Sequence, residues 1–271
     1  MIMENVIDEL KKDVDLLKSP DRPKIIFIGG VPGSGKSLLI KKAESDFISE
    51  EFSIIEPDLY RKFFKSAKSV EETVEFSNKI ELELLLYSLR QKKNIIHISS
   101  LRSYNYINNL INKVIIPLNY EVYLYIICTN EIISAISTYE RYINDKKNNE
   151  PFPRINKLEY LNVANEGFDM AVDFFSKNHC YKCVKIFRRG DNMSLPVELP
   201  IISGDLKKTV DLERVNQLTK LDYSKIYKRV KYIRKGLKSS CEIEEFNKVV
   251  SGIIFNDSNK DVKKLKKRLE M

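Results

Sequence analysis

The sequence predicts an α/β protein, with a parallel sheet covered by helices on both faces and a helical extension after it. Short apolar runs rich in β-branched residues alternate with longer amphipathic runs along most of the chain. Strands separated by helices of this size form parallel sheets. Charge is uneven: residues 205–271 hold 18 basic and 10 acidic residues, whereas residues 1–204 hold 28 of each. This difference predicts that the C-terminal part is a separate unit.

The elements follow in order from local patterns. An N-terminal helix, residues 2–17, has apolar residues at helical spacing and ends at a segment with two prolines. The strands are predicted at residues 24–28, 52–55, 94–99, 121–128 and 183–187. The helices between and after them are predicted at residues 37–44, 70–91, 104–115, 131–144 and 158–176. Helical periodicity returns at residues 206–218, 223–237 and 242–255, and a lysine-rich end covers residues 261–269.

These elements predict three units: an N-terminal helix (1–19), an α/β core (20–204) and a basic helical C-terminal region (205–271). No apolar run approaches the length of a membrane span, and the amphipathic N-terminus does not resemble a secretory signal. Four scattered cysteines favour a reducing compartment, so we expect a cytoplasmic protein with no membrane contact. His179, Cys180 and Cys183 lack a second ligand pair, so a zinc site is the less favoured interpretation.

The most informative motif is a phosphate-binding loop between the first strand and the first core helix. It fits the pattern G-x-x-x-x-G-K-[ST], and it consists of Gly30, Val31, Pro32, Gly33, Ser34, Gly35, Lys36 and Ser37. A strand that turns into a helix directs backbone N–H groups and the positive helix end at one point. Lys36 is expected to reach the β- and γ-phosphates of ATP, and the Ser37 hydroxyl to ligate Mg²⁺. The predicted core is therefore of the P-loop kinase type.

Ligands of such sheets bind beyond the carboxyl ends of the strands. Asp58 follows the second strand there. Its carboxylate could accept a proton from a substrate hydroxyl or orient the metal. It could equally cap the helix that follows, because aspartate is favoured at that position.

Ser100 and Arg102 follow the third strand, and their hydroxyl and guanidinium groups could hold phosphate or sugar. A polar turn with a surface arginine is the alternative. No acidic residue ends this strand, so the second metal-binding carboxylate of many P-loop ATPases is absent. This absence counts against a motor or a helicase.

Arg141 and Arg154 flank a polar segment in an arrangement that suggests a lid. Arginines that close late over a transferred γ-phosphoryl group can stabilise its negative charge. Either residue alone would more often be a solvated surface charge. The interpretation therefore depends on the pair.

Together these motifs resemble the zeta toxin family, the P-loop kinases of bacterial toxin–antitoxin modules, over roughly residues 20–200. The collinear motifs are the loop at 30–37, Asp58–Arg61, Phe76-Ser77-Asn78, Ser100–Arg102, Asn119–Val122, Glu140-Arg141-Tyr142, Arg154 and Arg188–Asp191. Only the loop is specific by itself; the set in this order is much more specific than its parts.

The resemblance implies roles for individual residues. Asp58 matches the position of the catalytic base. Lys36 matches the nucleotide position and Ser37 the magnesium position. Arg141 and Arg154 match the two arginines that contact the transferred phosphate. Arg188 falls where the family holds adenine, and Arg61, Ser100 and Arg102 fall on the acceptor side. The family substrate is UDP-N-acetylglucosamine, phosphorylated on a sugar hydroxyl.

The sequence also departs from the family pattern. Where the family has Glu-Gly-Thr after the third strand, this chain has Ile98-Ser99-Ser100, so a carboxylate that helps to hold the sugar is missing. A second family glutamate falls at Leu82 by counting, with Glu81 and Glu83 beside it. A different nucleotide-like acceptor, for example a dinucleotide, therefore remains open.

The C-terminal region allows other hypotheses. Residues 225–235 are basic with interleaved aromatics, which is typical of nucleic-acid surfaces. The favoured alternative is a solvated helix whose apolar residues face the core. A nucleic-acid-associated ATPase and a nucleotide-gated binding module thus stay as rivals to the kinase. An antitoxin, or a helix of this chain laid over the nucleotide site, is a further possible partner.

Overall fold

A computed structural model of the chain describes residues 2–64, 67, 69–190, 195–219 and 223–254. Its centre is a six-stranded sheet in the order β2-β3-β1-β4-β5-β6. The first five strands are parallel, and β6 pairs antiparallel with β5. The strands are β1 (Lys24–Gly29), β2 (Ser53–Ile55), β3 (Ile95–Ser99), β4 (Glu121–Cys128), β5 (Cys183–Arg188) and β6 (Val197–Leu199).

Ten α-helices surround or extend this sheet within the described residues. They are α1 (Ile2–Leu16), α2 (Leu38–Asp46), α3 (Pro57–Tyr60), α4 (Val70–Arg90), α5 (Tyr104–Leu110), α6 (Glu131–Lys147), α7 (Leu158–Lys177), α8 (Leu206–Thr219), α9 (Tyr223–Gly236) and α10 (Ser240–Val249). The π-helical turns Ile111–Ile115 and Val250–Ile254 extend α5 and α10. Short 3-10 turns lie at Arg61–Phe63 and Ile202–Gly204.

The predicted α/β fold with a parallel sheet is confirmed, and one strand was missed. β6 has only three residues, of which Val197 and Glu198 are exposed, so it lacks an apolar signal. The predicted helix 242–255 begins two residues earlier, at Ser240, where Ser239 and Glu242 form a reciprocal capping box. Residues 255, 261–269 and Asp191, on which parts of our predictions fall, lie outside the described residues.

Alternate residues of the central strands face two different layers, as the pleat requires. On one face, Ile26 and Ile28 of β1 pack with Leu39 and Ala43 of α2. On the other face, the buried side chains of β1 and β4 pack against α4, α5, α7 and α8. Both faces of the sheet are therefore largely apolar.

A separate apolar cluster joins α6 to the C-terminal helices. It contains Ile136 and Ile143 of α6, Val230 and Ile233 of α9, and Phe246 of α10. The predicted apolar face of the basic segment 225–235 is thus packed in the interior. α6 is in contact with the C-terminal region along this face.

The N-terminal helix packs along α4 and the segment after α3. Ile7 and Val14 share a buried cluster with Tyr60, Phe64 and Ile80. The Lys93 ammonium donates a hydrogen bond to the Leu17 carbonyl oxygen at the end of this helix. Among the described helices, none is long and apolar enough to cross a membrane.

Candidate functional site

The loop after β1 has the geometry that its glycines predict. Gly33 and Gly35 have positive φ values of 75° and 94°, which favour glycine. A Cβ on Gly33 would lie 2.4 Å from the Ser134 carbonyl oxygen, so the loop passes directly over α6. Val31 and Ser34 are buried, and the Pro32 carbonyl accepts a hydrogen bond from the Ser134 hydroxyl. The contacts with Ser134 of α6 therefore hold the loop in place.

Lys36 folds back over its own loop. Its Nζ donates to the carbonyl oxygens of Gly30 at 2.9 Å and Val31 at 3.1 Å. The pKa of Lys36 is lowered to about 8, chiefly by burial and in part by the nearby Arg141, whereas Asp58 opposes the shift. A bound phosphate would replace these carbonyls as the partner of the ammonium group.

Ser37, the predicted magnesium ligand, has a carboxylate partner that the sequence analysis missed. Its Oγ donates to Oε1 of Glu56 at 2.6 Å. Burial raises the pKa of Glu56, and the charge of Asp58 adds to that effect. The signal that could have found this residue is an acidic side chain at the end of a strand, two positions before Asp58. Hydroxyl and carboxylate oxygens are the donors that Mg²⁺ takes in proteins, so this pair fits the metal.

Asp58 lies in the first turn of α3. The cap of α3 is Glu56, so the interpretation of Asp58 as a helix cap is wrong. Asp58 Oδ2 accepts a hydrogen bond from Arg141 Nη1 at 3.1 Å. Burial by itself raises the pKa of Asp58, but the charges of Arg141, Arg154, Arg61 and Lys36 together outweigh burial and hold that pKa below its usual range. The carboxylate is therefore ionised at neutral pH and able to accept a proton.

Arg154 is held beside this group by two neighbours. Its Nε donates to Oδ1 of the buried Asn156 at 3.1 Å, and its guanidinium lies 5.0 Å from the Tyr160 ring centroid. The guanidinium of Arg102 lies 5.4 Å from the same ring. Tyr160, on α7, thus orients one arginine from the predicted lid and one from the predicted acceptor side.

Arg61 and Ser100 are engaged mainly with the protein itself. Arg61 donates to the Phe152 carbonyl at 2.6 Å and to the Thr73 hydroxyl at 3.4 Å, which ties the segment between α6 and α7 to α4. Ser100 Oγ accepts a bond from the Arg102 backbone N–H at 3.4 Å. Direct substrate contacts by these two residues stay predictions.

On the acceptor side, α4 turns Glu81 inward and Leu82 outward. Glu81 Oε1 lies 2.7 Å from Nε2 of the buried His97 on β3, whereas Leu82 is exposed. Burial raises the pKa values of Tyr60 and Tyr106, and the negative charge of Glu81 raises them further, so both phenols lie near Glu81. Of Glu81 and Leu82, Glu81 is thus the residue that faces the sheet, and its match to the family glutamate stays a prediction.

Position 98, where the family glutamate is missing, faces the other layer of the sheet. Ile98 packs with Ile26 and Ile28, whereas His97 contacts Phe27 edge-on at 5.4 Å on the α4 side. A carboxylate in the register of Ile98 would not lie on the same face as Glu81.

The two arginines after β5 have different surroundings. Arg188, our predicted nucleotide residue, lies 3.8 Å from Glu213 of α8. Arg189 donates to the Gly33 carbonyl and to Ser137 Oγ, both at 2.7 Å. Arg189, which we did not predict, is thus the arginine of this pair that contacts the phosphate-binding loop, and the nucleotide contact of Arg188 stays a prediction.

The sheet order, the glycine loop and the lysine over it define a P-loop nucleotide-binding protein. The zeta toxin family matches residues 7–196, so this chain belongs to the zeta toxin family. No curated protein sequence matches it.

Two solved structures have the same fold. One is from the PezAT chromosomal toxin–antitoxin system of Streptococcus pneumoniae, with 16% identity, a TM-score of 0.65, and coverage of 86% of this chain and 96% of that one. The other is the AvrRxo1-ORF1:AvrRxo1-ORF2 complex with sulphate ions, with 13% identity, a TM-score of 0.53, and coverage of 93% and 84%. At these identities the similarity concerns the fold.

Proposed function

We propose that this chain is an ATP-dependent small-molecule kinase. The observation that carries the proposal is an ionised Asp58 held among Lys36, Arg141 and Arg154 at the mouth of a phosphate-binding loop. A base surrounded by the cations that neutralise a transferred phosphate suits phosphoryl transfer, in which positioning and charge do most of the work. Membership of a family of kinases supports the same conclusion.

In the proposed reaction, the triphosphate of ATP binds along the loop, with Lys36 at its β- and γ-phosphates. Asp58 accepts the proton of an acceptor hydroxyl, whose oxygen forms a bond to the γ-phosphorus while the bond to the ADP oxygen breaks. Arg141 leaves Asp58 and joins Arg154 on the γ-phosphoryl oxygens. Closure of this pair would exclude water and favour transfer over hydrolysis.

Ser37 and Glu56 are the residues that would hold Mg²⁺, Ser37 directly and Glu56 through its contact with the Ser37 hydroxyl. The metal would neutralise charge on the β- and γ-phosphates. The Ser37 hydroxyl would bind the metal through an oxygen lone pair and could keep its proton directed at Glu56.

The first candidate acceptor is a sugar hydroxyl of UDP-N-acetylglucosamine, on the basis of family membership. Glu81 supports this candidate, because a carboxylate on the acceptor side can accept hydrogen bonds from sugar hydroxyls. Arg102 beside Tyr160 offers a cation and a ring for the nucleotide part of such a molecule.

A different nucleotide-like acceptor, such as a dinucleotide, is the second candidate. It is favoured by Ile98, which replaces a carboxylate, and by Arg61, whose guanidinium already bonds Phe152 and Thr73.

An antitoxin is the partner that the PezAT toxin–antitoxin similarity suggests for this chain. A nucleic-acid-associated ATPase is less well supported, because the apolar face of the basic helix α9 is packed on α6 and Arg229 of that helix is bound to Glu140.

The test is incubation of the protein with ATP and Mg²⁺, first with UDP-N-acetylglucosamine and then with a bacterial metabolite extract. Mass spectrometry should find one acceptor heavier by a phosphoryl group, with an equal amount of ADP. Phosphorylation of another nucleotide in the extract would favour the second candidate. The kinase proposal fails if no metabolite gains a phosphoryl group while ATP is consumed only when DNA or RNA is added.

A further inference from the structure

Helix α6 lies between the phosphate-binding loop and the C-terminal helix α9. On the loop side, a Cβ on Gly33 would lie 2.4 Å from the Ser134 carbonyl oxygen of α6. On the α9 side, a Cβ on Gly236 would lie 2.6 Å from the Ile143 side chain. The close approach on both sides means that a shift of α9 must be accommodated by α6, since packed interiors leave little free space.

Arg229 of α9 makes the polar contacts across this interface. Its Nε and Nη2 donate to the two carboxylate oxygens of Glu140 at 2.7 and 2.6 Å. Its Nη2 also donates to Ser137 Oγ at 3.0 Å. A bidentate arginine–carboxylate pair fixes orientation as well as distance. Glu140 precedes Arg141, so this pair fixes the turn of α6 that carries a predicted catalytic arginine.

The Ser137 hydroxyl joins Arg229 to the loop itself. Ser137 Oγ accepts a second hydrogen bond, from Arg189 Nη1 at 2.7 Å, and that same nitrogen donates to the Gly33 carbonyl at 2.7 Å. Ser137 Oγ donates its own proton to the Ile133 carbonyl at 2.7 Å. The contacts therefore run without a break from Arg229 through Ser137 and Arg189 to Gly33.

Two like-charged guanidinium groups share this one hydroxyl. Glu140 is the carboxylate that balances them, and it bonds Arg229 directly. Removal of the Arg229 side chain would leave Glu140 without this partner and free to attract Arg189 away from Gly33. Occupation of Glu140 by Arg229 would therefore leave Arg189 available to the Gly33 carbonyl.

We propose that Arg229 is a positioning residue for the nucleotide site, through which the C-terminal helical region holds Arg189 on the loop and Arg141 at the γ-phosphate end. The proposal rests on ATP binding at this loop, as in the proposed function. The C-terminal region is then part of the catalytic unit, and a ligand or partner that moves α9 would change ATP affinity.

The experiment measures equilibrium binding of a fluorescent ATP analogue with Mg²⁺ to the full chain, for Arg229→Ala, Arg229→Lys and Ser137→Ala. The control is Arg234→Ala, which removes another arginine of α9, one that bonds Asn247 of α10. We expect Arg229→Ala to weaken binding about five- to tenfold, Arg229→Lys to recover part of it, and Arg234→Ala to bind as the unchanged protein does.

A double-mutant cycle separates positioning from mere stability. Because Arg229 and Arg189 meet at Ser137, the losses in Ser137→Ala and Arg229→Ala should not add in the double variant. If Arg229→Ala lowers the thermal midpoint but binds the analogue with unchanged affinity, the inference is wrong. Should that variant not fold, the same criterion applies to Arg229→Lys and Ser137→Ala. Failure of the unchanged protein to bind the analogue would instead refute the proposed function.

Discussion

Lys36 gives the most quantitative prediction, which concerns the pH dependence of ATP affinity. In the free protein, burial lowers the pKa of Lys36 to about 8. A bound triphosphate stabilises the ammonium form and raises that pKa. Linkage then requires that affinity is full below the pKa of the free protein and falls as pH rises above it.

The size of the fall follows from the protonated fraction of Lys36. With a pKa of about 8, that fraction is about three quarters at pH 7.5 and about 3% at pH 9.5. If the bound form titrates above this range, ATP affinity falls about 25-fold, or about 1.9 kcal/mol. Phosphate groups, with a second pKa of about 6, keep their charge over the same interval.

The assay is a titration with a fluorescent ATP analogue at pH 7.5, 8.5 and 9.5 and constant ionic strength. Lys36→Met should bind weakly and lose most of the pH dependence, whereas Lys41→Met, at an exposed position of α2, should keep it. A pH dependence of equal size in Lys36→Met would refute the assignment of the titration to Lys36.

Three further predictions concern the metal, the lid arginine and the α6–α9 contact. Glu56→Gln should weaken binding of ATP with Mg²⁺ about tenfold, because second-shell partners of a metal ligand typically have that effect; without Mg²⁺, calorimetry should show affinity close to that of the unchanged protein. Tyr160→Ala should slow phosphoryl transfer about five- to tenfold, because Arg154 loses a cation–π contact worth about 1 kcal/mol. Tyr160→Phe should restore the rate, and equal rates in the unchanged protein and both variants would contradict the role of the ring. Gly236→Ala should lower the free energy of unfolding by about 1–3 kcal/mol through overpacking against Ile143, and Ile143→Val should recover part of it in denaturant titrations. An unchanged midpoint in Gly236→Ala would show that α9 and α6 are not tightly packed.

The sequence predicts the sheet and the loop well because their signals are local. The apolar run of β1, the glycine pattern and the helix after it are contiguous, so strand, turn and helix could be placed together. β6 could not, because its place depends on pairing with β5 and its own residues carry no apolar pattern.

The sequence analysis identified residues within contiguous motifs and missed contacts between residues far apart in the chain. Glu56 meets Ser37 across 19 positions and Arg229 meets Glu140 across 89, and neither pair belongs to one motif. Counting along α4 left Glu81, Leu82 and Glu83 open, because it does not show which face of the helix turns inward. The orientation of Arg188 and Arg189 likewise depends on Glu213 of α8 and Ser137 of α6, which contact them from elsewhere in the chain.

The central claim, that Asp58 activates an acceptor hydroxyl beside a loop that binds ATP, is tested most directly by Asp58→Asn. Two quantities should be measured on one preparation: the dissociation constant of the ATP analogue, and the single-turnover rate of phosphoryl transfer to the acceptor identified by mass spectrometry. We expect the affinity to change by less than about threefold and the transfer rate to fall about 10²- to 10⁴-fold, as for loss of a general base. Transfer at an undiminished rate by Asp58→Asn would contradict the account.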